Sequence, residues 1–388
     1  MANSNKKKLQ TIILFTFLAI FPFGQLLKMS FQPIDLVVGL AFLYTIIFSV
    51  GTPKAVVVFR NFLLAAGFSL LFSLAFFKTG DLFTGFLYLA RLTFYVYFIS
   101  FVFNFSQKNR IKKNLLVNGL MAVSIFSAIF GWIQYFWFPD FRPFTVFGWD
   151  DHLFRLTGTF MDPGFTALIF VLGAAITLLS YLRYKKILYL ISFILLSVSL
   201  AFTYSRAGYL SFIAAALYMG FSEKKMKEII LALAAFAVIV MALPRTAGEG
   251  VKLERTASTS ARLLNYSETI KIIGKSPLFG IGFNNLCLAK ETFFENNEQG
   301  LHSCSGSDSS LLLILATTGV VGFIIFLWCI RSLFHLIKSR NLYGKILISS
   351  SIALFIHSLF VNSLFYSWVM GWMAVLLAVS HKESREKI

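Results

Sequence analysis

Apolar runs about as long as a bilayer is thick recur along this chain, and that recurrence limits its fold more than any single residue does. The runs cover residues 9–27, 34–50, 56–77, 82–105, 115–138, 165–182, 187–203, 207–221, 229–243, 309–330, 346–360 and 364–379. A hydrocarbon core about 30 Å thick is crossed by roughly 20 apolar residues of helix. Backbone polar groups in lipid must be bonded internally, and no alternating barrel pattern is present, so each run reads as a helix. Of the 388 residues, 57% are hydrophobic and 13% charged, whereas soluble domains carry about 25% charged residues. An ordinary soluble enzyme, a disordered chain and a disulfide-rich secreted scaffold are excluded. The expected fold class is an all-α polytopic membrane protein with about 12 transmembrane helices.

The formal net charge of +18 invites a nucleic-acid reading. A nucleic-acid binder clusters Lys and Arg on one soluble face, whereas here they come in short bursts between apolar runs. That is the positive-inside pattern of membrane loops, and no nucleic-acid partner is expected. With the N-terminus in the cytoplasm, the inner segments hold Lys6, Lys7 and Lys8, then Lys54 and Arg60, then Lys108, Arg110, Lys112 and Lys113. They continue through Arg183, Lys185, Lys186, Lys224, Lys225, Lys227, Arg331, Lys338, Arg340, Lys345, Lys382, Arg385 and Lys387, most of the 35 basic residues. Both termini are therefore expected inside. The first run resembles a signal peptide after its three lysines, but it lacks a small-x-small cleavage site and reads as a retained helix.

Three regions follow: helices one to nine over 1–243, with an outer loop at about 139–164; a long outer-face loop over 244–308; and the last three helices with a cytoplasmic tail over 309–388. Long connections are usually functional or disordered, and this one is not low-complexity. Thr259 or Ser260 is expected to cap a helix through Arg262, Leu263, Tyr266, Ile270 and Ile273 that ends at Gly274. The stretch SPLFGIGFNN (276–285) reads as a turn punctuated by Pro and Gly.

Four arginines stand out. Arg206, in TYSRAG (203–208), occupies a short outer turn, Arg155 precedes the sixth span in RLTGTFMDPG (155–164), and Arg262 lies in the long loop. Arg91 lies about 13 Å inside the fourth span at helical rise, where an arginine needs a polar cavity or a partner. Each either pairs with a carboxylate or headgroup or joins a shared anion site, since guanidinium matches phosphate bidentately. Asp150, Asp151 and Asp162 are close enough in sequence to pair with Arg155. His302 sits in the small, polar HSCSGSDSS (302–310), and Asp308 is either a helix cap or a working acid. His152 lies in an outer loop, and His357 reads as a structural residue near the outer end of its span. No metal-ligand spacing, Walker loop or GxGxxG is present, so no metal or nucleotide cofactor is expected. Cys287 and Cys304 share the long loop and either form a disulfide or stay free.

The order RLTGTFMDPG, TYSRAG, SARLLNY, SPLFGIGFNN and HSCSGSDSSLLLILATTGVVGF (302–323) resembles the O-antigen ligase and polymerase family of bacterial membrane proteins. The resemblance is strongest from about 155 to 323. It implies a GT-C-like fold, with the one long periplasmic or extracellular loop between helices nine and ten, in the bacterial cytoplasmic membrane. It also implies metal-independent transfer of a glycan from undecaprenyl diphosphate to a glycan or lipid acceptor, with a chain-length regulator as a possible partner. Matched residue by residue, Arg206 and Arg262 hold the donor diphosphate, with Arg155 and Arg91 as further candidates. The family's usual histidine base aligns with Asp308, six residues after His302, so the base is His302, Asp308 or the two as a pair. Tyr266 stands where the family more often has Trp. The competing expectation is a membrane transporter or exporter of an anionic or lipid-linked substrate, which would use Arg91 and the outer arginines equally.

Overall fold

A computed structural model describes residues 2–27, 32–107, 109–147, 149, 151–245, 248–294, 306–337 and 339–381. His302, Cys304 and Asp150 lie outside these residues, as do Lys108, Lys338, Lys382, Arg385 and Lys387. Among the described residues the fold is all-helical, with only two isolated β-bridges.

Every apolar run lies on a helix. In chain order these are α1 (Ala2–Ile20), α2 (Pro33–Ile47), α3 (Lys54–Phe72), α4 (Phe83–Ser106), α5 (Arg110–Trp137), α6 (Pro163–Tyr184), α7 (Ile187–Ala201), α8 (Arg206–Glu223) and α9 (Met226–Met241). Two helices, α10 (Ala257–Lys275) and α11 (Leu286–Phe294), precede α12 (Ser310–Leu336), α13 (Leu342–Ser358) and α14 (Ser367–Ser380). By length and composition 6 of the described helical stretches suffice to cross a membrane, with α2, α7, α13 and α14 shorter and apolar. The chain is a polytopic membrane protein.

Helix starts follow local chemistry. Pro33 and Pro163 occupy first turns, where the missing N–H costs nothing. Asp162, Ser205, Ser309 and Asn341 each accept from a first-turn N–H of α6, α8, α12 and α13. The cap of α10 differs from the expectation. The helix starts at Ala257 after Thr256, whose side chain makes no cap bond, and it runs through Thr259 and Ser260. The Thr259 hydroxyl is engaged by Arg206 instead.

The core is centred on α6, whose side chains from Thr166 to Ser180 are buried against α5, α7, α8 and α13. Lipid offers little hydrophobic drive for helix association, so close packing of small residues carries it. Gly173 abuts Ser124 on α5, and Gly208 on α8 abuts Ala167 on α6. The first-turn caps of α6 and α8 thereby come to the same end of the bundle.

The turn over 276–285 inserts into a break in α12. At Gly319 (φ 65, ψ −175) the helix leaves its regular path, and the turn takes up the freed hydrogen bonds. Val320 N donates to Pro277 O (2.9 Å) and Val321 N to Leu278 O (3.2 Å), while Ile281 N donates to Ala316 O (3.1 Å). A Cβ at Gly319 would collide with the Leu278 carbonyl in a backbone region essentially reserved for glycine. Gly319→Ala is therefore expected to destabilise the fold by at least about 3 kcal/mol, read as a lowered thermal midpoint of the purified protein. A midpoint equal to the parent's would show that the turn does not lock α12.

Candidate active site

The chain ends of four helices meet around the TYSRAG turn. Leu156 N donates to Phe202 O (2.9 Å), which ties the segment before α6 to the turn before α8. Arg155 Nε donates to Thr203 O at 3.0 Å, and Arg255 Nη2 donates to Tyr204 O at 3.1 Å. Tyr204 has a positive φ of 52, a conformation that a bulky residue adopts only when its surroundings enforce it. The two guanidinium clamps and the bond from its own hydroxyl to Pro244 O (2.7 Å) do so.

Arg206, first residue of α8 and just outside the apolar run 207–221, reaches the start of α10. Its Nη1 donates to Leu253 O (3.4 Å) and Arg255 O (3.2 Å), and its Nη2 to Ser258 Oγ (2.8 Å) and Thr259 Oγ1 (3.1 Å). Every one of these acceptors is neutral. Arg262 lies one helical turn further along α10, half-buried, with no hydrogen bond or ion pair among the described residues.

The charges of these arginines are felt mutually. Burial first, then Arg255, push the half-buried Arg155 guanidinium down to about 10, with Arg262 adding to the effect and Asp162 opposing it. Burial lowers Arg255, and Arg206 and Arg262 lower it further. Burial and then Arg262 lower Arg206. Like charges gathered together disfavour the protonated state. Among the described residues, none of the four forms an ion pair. The N-termini of α6, α8 and α10 add their positive dipole ends at this place. What this arrangement can do chemically is hold a multiply charged anion.

Asp308 lies across from Arg262. Its backbone N donates to Asn265 Oδ1 (3.0 Å), and Asn265 Nδ2 donates to Gly306 O (3.2 Å), which fastens the segment before α12 to α10. Tyr266 Oη donates to Leu359 O at 2.8 Å. Burial raises Tyr266, while Arg262 pulls it down and Asp308 pulls it up, so both charges border one tyrosine. Capping of α12 falls to Ser309, whose side chain accepts from Leu312 N. That outcome corrects the capping alternative for Asp308.

His357, fully buried in α13, sets its Nδ1 2.6 Å from Ser363 Oγ. Its Nε2 has no hydrogen-bond partner among the described residues. Cys287 is disulfide-bonded, and Cys329 is a free, buried thiol.

Arg91 stands apart from this group. Its Nη1 lies 3.8 Å from Asp35 Oδ2 of α2, its Nη2 donates to Phe365 O (3.4 Å), and its guanidinium lies 4.2 Å from the Tyr88 ring centroid. Tyr95 Oη donates to Asp35 Oδ1 at 2.7 Å and completes the pair's surroundings. Arg91→Met is thus expected to destabilise the fold by about 1–3 kcal/mol while leaving the KM for an anionic substrate within about twofold of the parent's. A large rise in KM with unchanged stability would place Arg91 in the anion site.

The residue missed in the sequence is Arg255. Its acceptors, the carbonyls of Tyr204, Gly250 and Lys252, are backbone atoms that leave no side-chain pattern, and its position seven residues before Arg262 is the only available hint.

Residues 191–327 match the family model described as O-antigen ligase. The matched stretch holds Arg206, Arg255, Arg262, Tyr266 and Asp308, whereas Arg91 and Arg155 precede it. No curated protein matches the chain.

Proposed function

We propose, from the match of residues 191–327 to the O-antigen ligase family model, that the chain acts as a member of that family and transfers a glycan from undecaprenyl diphosphate to an acceptor hydroxyl during cell-surface polysaccharide biosynthesis. The reaction takes place at the outer face of the bacterial cytoplasmic membrane, in a GT-C-like bundle of twelve spanning helices with both termini inside. A chain-length regulator is a candidate partner where the acceptor is another lipid-linked repeat.

The observation that carries this reading is the cluster of Arg155, Arg206, Arg255 and Arg262, whose positive charges lack ion-pair partners among the described residues. Arg262, unengaged by the described protein groups, grips the diphosphate. Arg206 exchanges neutral hydroxyl and carbonyl acceptors for phosphate oxygens, and Arg155 and Arg255 hold the TYSRAG turn beneath them. The acceptor oxygen attacks the anomeric carbon as the bond from that carbon to the phosphate oxygen breaks. The electron pair departs on the lipid diphosphate, where the guanidinium groups stabilise the developing charge. The acceptor proton passes to Asp308 or His302.

The positive charge that the leaving group needs is thus present in side chains, and a diphosphate donor needs no nucleotide. An exporter would use Arg91 as an intramembrane cation, but Asp35 already accounts for that residue.

The test is transfer by the purified protein in detergent from a synthetic undecaprenyl-diphosphate oligosaccharide, with EDTA present, to a lipid A-core acceptor and to a second lipid-linked oligosaccharide. Product on either acceptor supports the reading and names the subtype. Donor binding without product on either acceptor would overturn transfer.

A further inference from the structure

A second polar cavity lies at the opposite end of α6 from the arginine site. Helix α6 has 22 residues, so the two ends are about 33 Å apart at 1.5 Å per residue. The cavity, of about 300 Å³, is lined by Arg110, Asn114, Asn118, Tyr184, Lys186 and Tyr343 among others, and none of the described lining residues is a carboxylate. Tyr343 Oη donates to Asn114 Oδ1 at 2.7 Å, which sets the back wall. Arg110 faces the hydroxyls of Tyr184 and Tyr343.

Three helices begin here: α5 at Arg110, α7 just after Lys186 and α13 at Leu342. Asn109 caps α5 and Asn341 caps α13, but the first turn of α7 has no side-chain cap. Two cations, an uncapped helix start and several neutral donors therefore border one concave space. The C-terminus of α6 also arrives there, and its dipole is offset by Arg183 in its last turn.

We propose that this cavity is a second anion site, separate from the arginine cluster, that takes a phosphate group. The phosphate belongs either to the headgroup of an anionic phospholipid in the adjacent leaflet or to free inorganic phosphate. Large apolar side chains flank the mouth: Ile111, Ile187, Leu188 and Ile191 are each more than half exposed. Close in sequence to the lining residues Arg110, Lys186 and Tyr189, they offer apolar surface for acyl chains, which favours the lipid. Guanidinium and ammonium serve different parts of such a headgroup, Arg110 as a planar fork and Lys186 as a point charge. The inference does not rest on the transfer reaction and holds for any polytopic chain with this cavity.

The experiment is native mass spectrometry of the full-length protein titrated with dioleoylphosphatidylglycerol, with and without excess inorganic phosphate. Each Lys or Arg near such a headgroup contributes enough to change affinity about fivefold. Lys186→Gln is expected to raise the Kd of the first lipid about fivefold, and Arg110→Gln/Lys186→Gln about 30-fold. Lys186 is exposed, so its single variant keeps the test valid if the double variant fails to fold. Lys224→Gln/Lys227→Gln, at the same end but outside the cavity, serves as the comparison and is expected to bind as the parent does. Competition by inorganic phosphate would show that the phosphate group alone is recognised, and no competition would identify the intact lipid. Equal affinities for the parent and both cavity variants, or an equal loss in the Lys224/Lys227 variant, would overturn the proposal.

Discussion

Arg262→Ala is expected to lower the rate of the proposed glycan transfer by about 10²–10³-fold, the loss that follows when one preorganised donor to a developing anion is removed. No described protein group competes for this guanidinium, so its substitution leaves no other bond of the fold unmade. The effect falls on kcat more than on donor KM, because charge on the leaving diphosphate grows as the anomeric bond breaks. Arg206→Ala is the informative contrast. It also removes the bonds to Ser258 and Thr259, so it loosens the start of α10 and lowers stability together with rate. Single-turnover rates beside thermal midpoints separate the two. An Arg262→Ala enzyme as fast as the parent would remove this residue from the diphosphate site.

Loss of the base produces the second large effect. Asp308→Ala or His302→Ala, whichever removes the proposed proton acceptor, is expected to lower the rate by about 10²–10⁴-fold. Asp308→Asn separates charge from shape: it keeps the segment fastened by the backbone bond to Asn265 but accepts no proton. If Asp308 is the base, the Asn variant is as slow as the Ala variant. If it only orients His302, the Asn variant is also slowed, because the amide favours the wrong imidazole tautomer. It is His302→Ala, slow in this case but near the parent's rate if Asp308 is the base, that separates the two. The pH profile reports on the same group. Arg155, pushed down to about 10, remains protonated below about pH 9, so a rate that falls as pH decreases toward the acid range reports protonation of the base, not of the arginines. Retained activity in both Ala variants would contradict general-base transfer by either residue.

The helices were legible because the apolar runs are long and their charged separators short. The end of the bundle that carries the site was also legible, since TYSRAG and RLTGTFMDPG are polar turns at the same side of alternating spans. What escaped the sequence depended on contacts between distant segments. The break of α12 at Gly319 is sustained by Pro277 and Leu278, which only the fold brings to it. Asp35 and Arg91 lie on different helices with no pattern to join them, and Arg255 acts on carbonyl oxygens that no residue type announces. The sequence leaves Asp308 as either a cap or a working acid, and only geometry selects Ser309 as the cap of α12, since both residue types cap well. For α10, Thr259 was unavailable as a cap because its hydroxyl serves Arg206.

In the proposed reaction a glycan leaves a lipid diphosphate held by arginine side chains. Its most direct test is to quantify undecaprenyl diphosphate released against glycosidic bonds formed, with purified protein, synthetic donor and acceptor, and EDTA present. One diphosphate lipid is expected for each bond formed, with bond formation undiminished by the chelator and nearly abolished in Arg262→Ala. Release of undecaprenyl monophosphate, or bond formation that stops with EDTA and returns with a divalent cation, would contradict the proposed reaction.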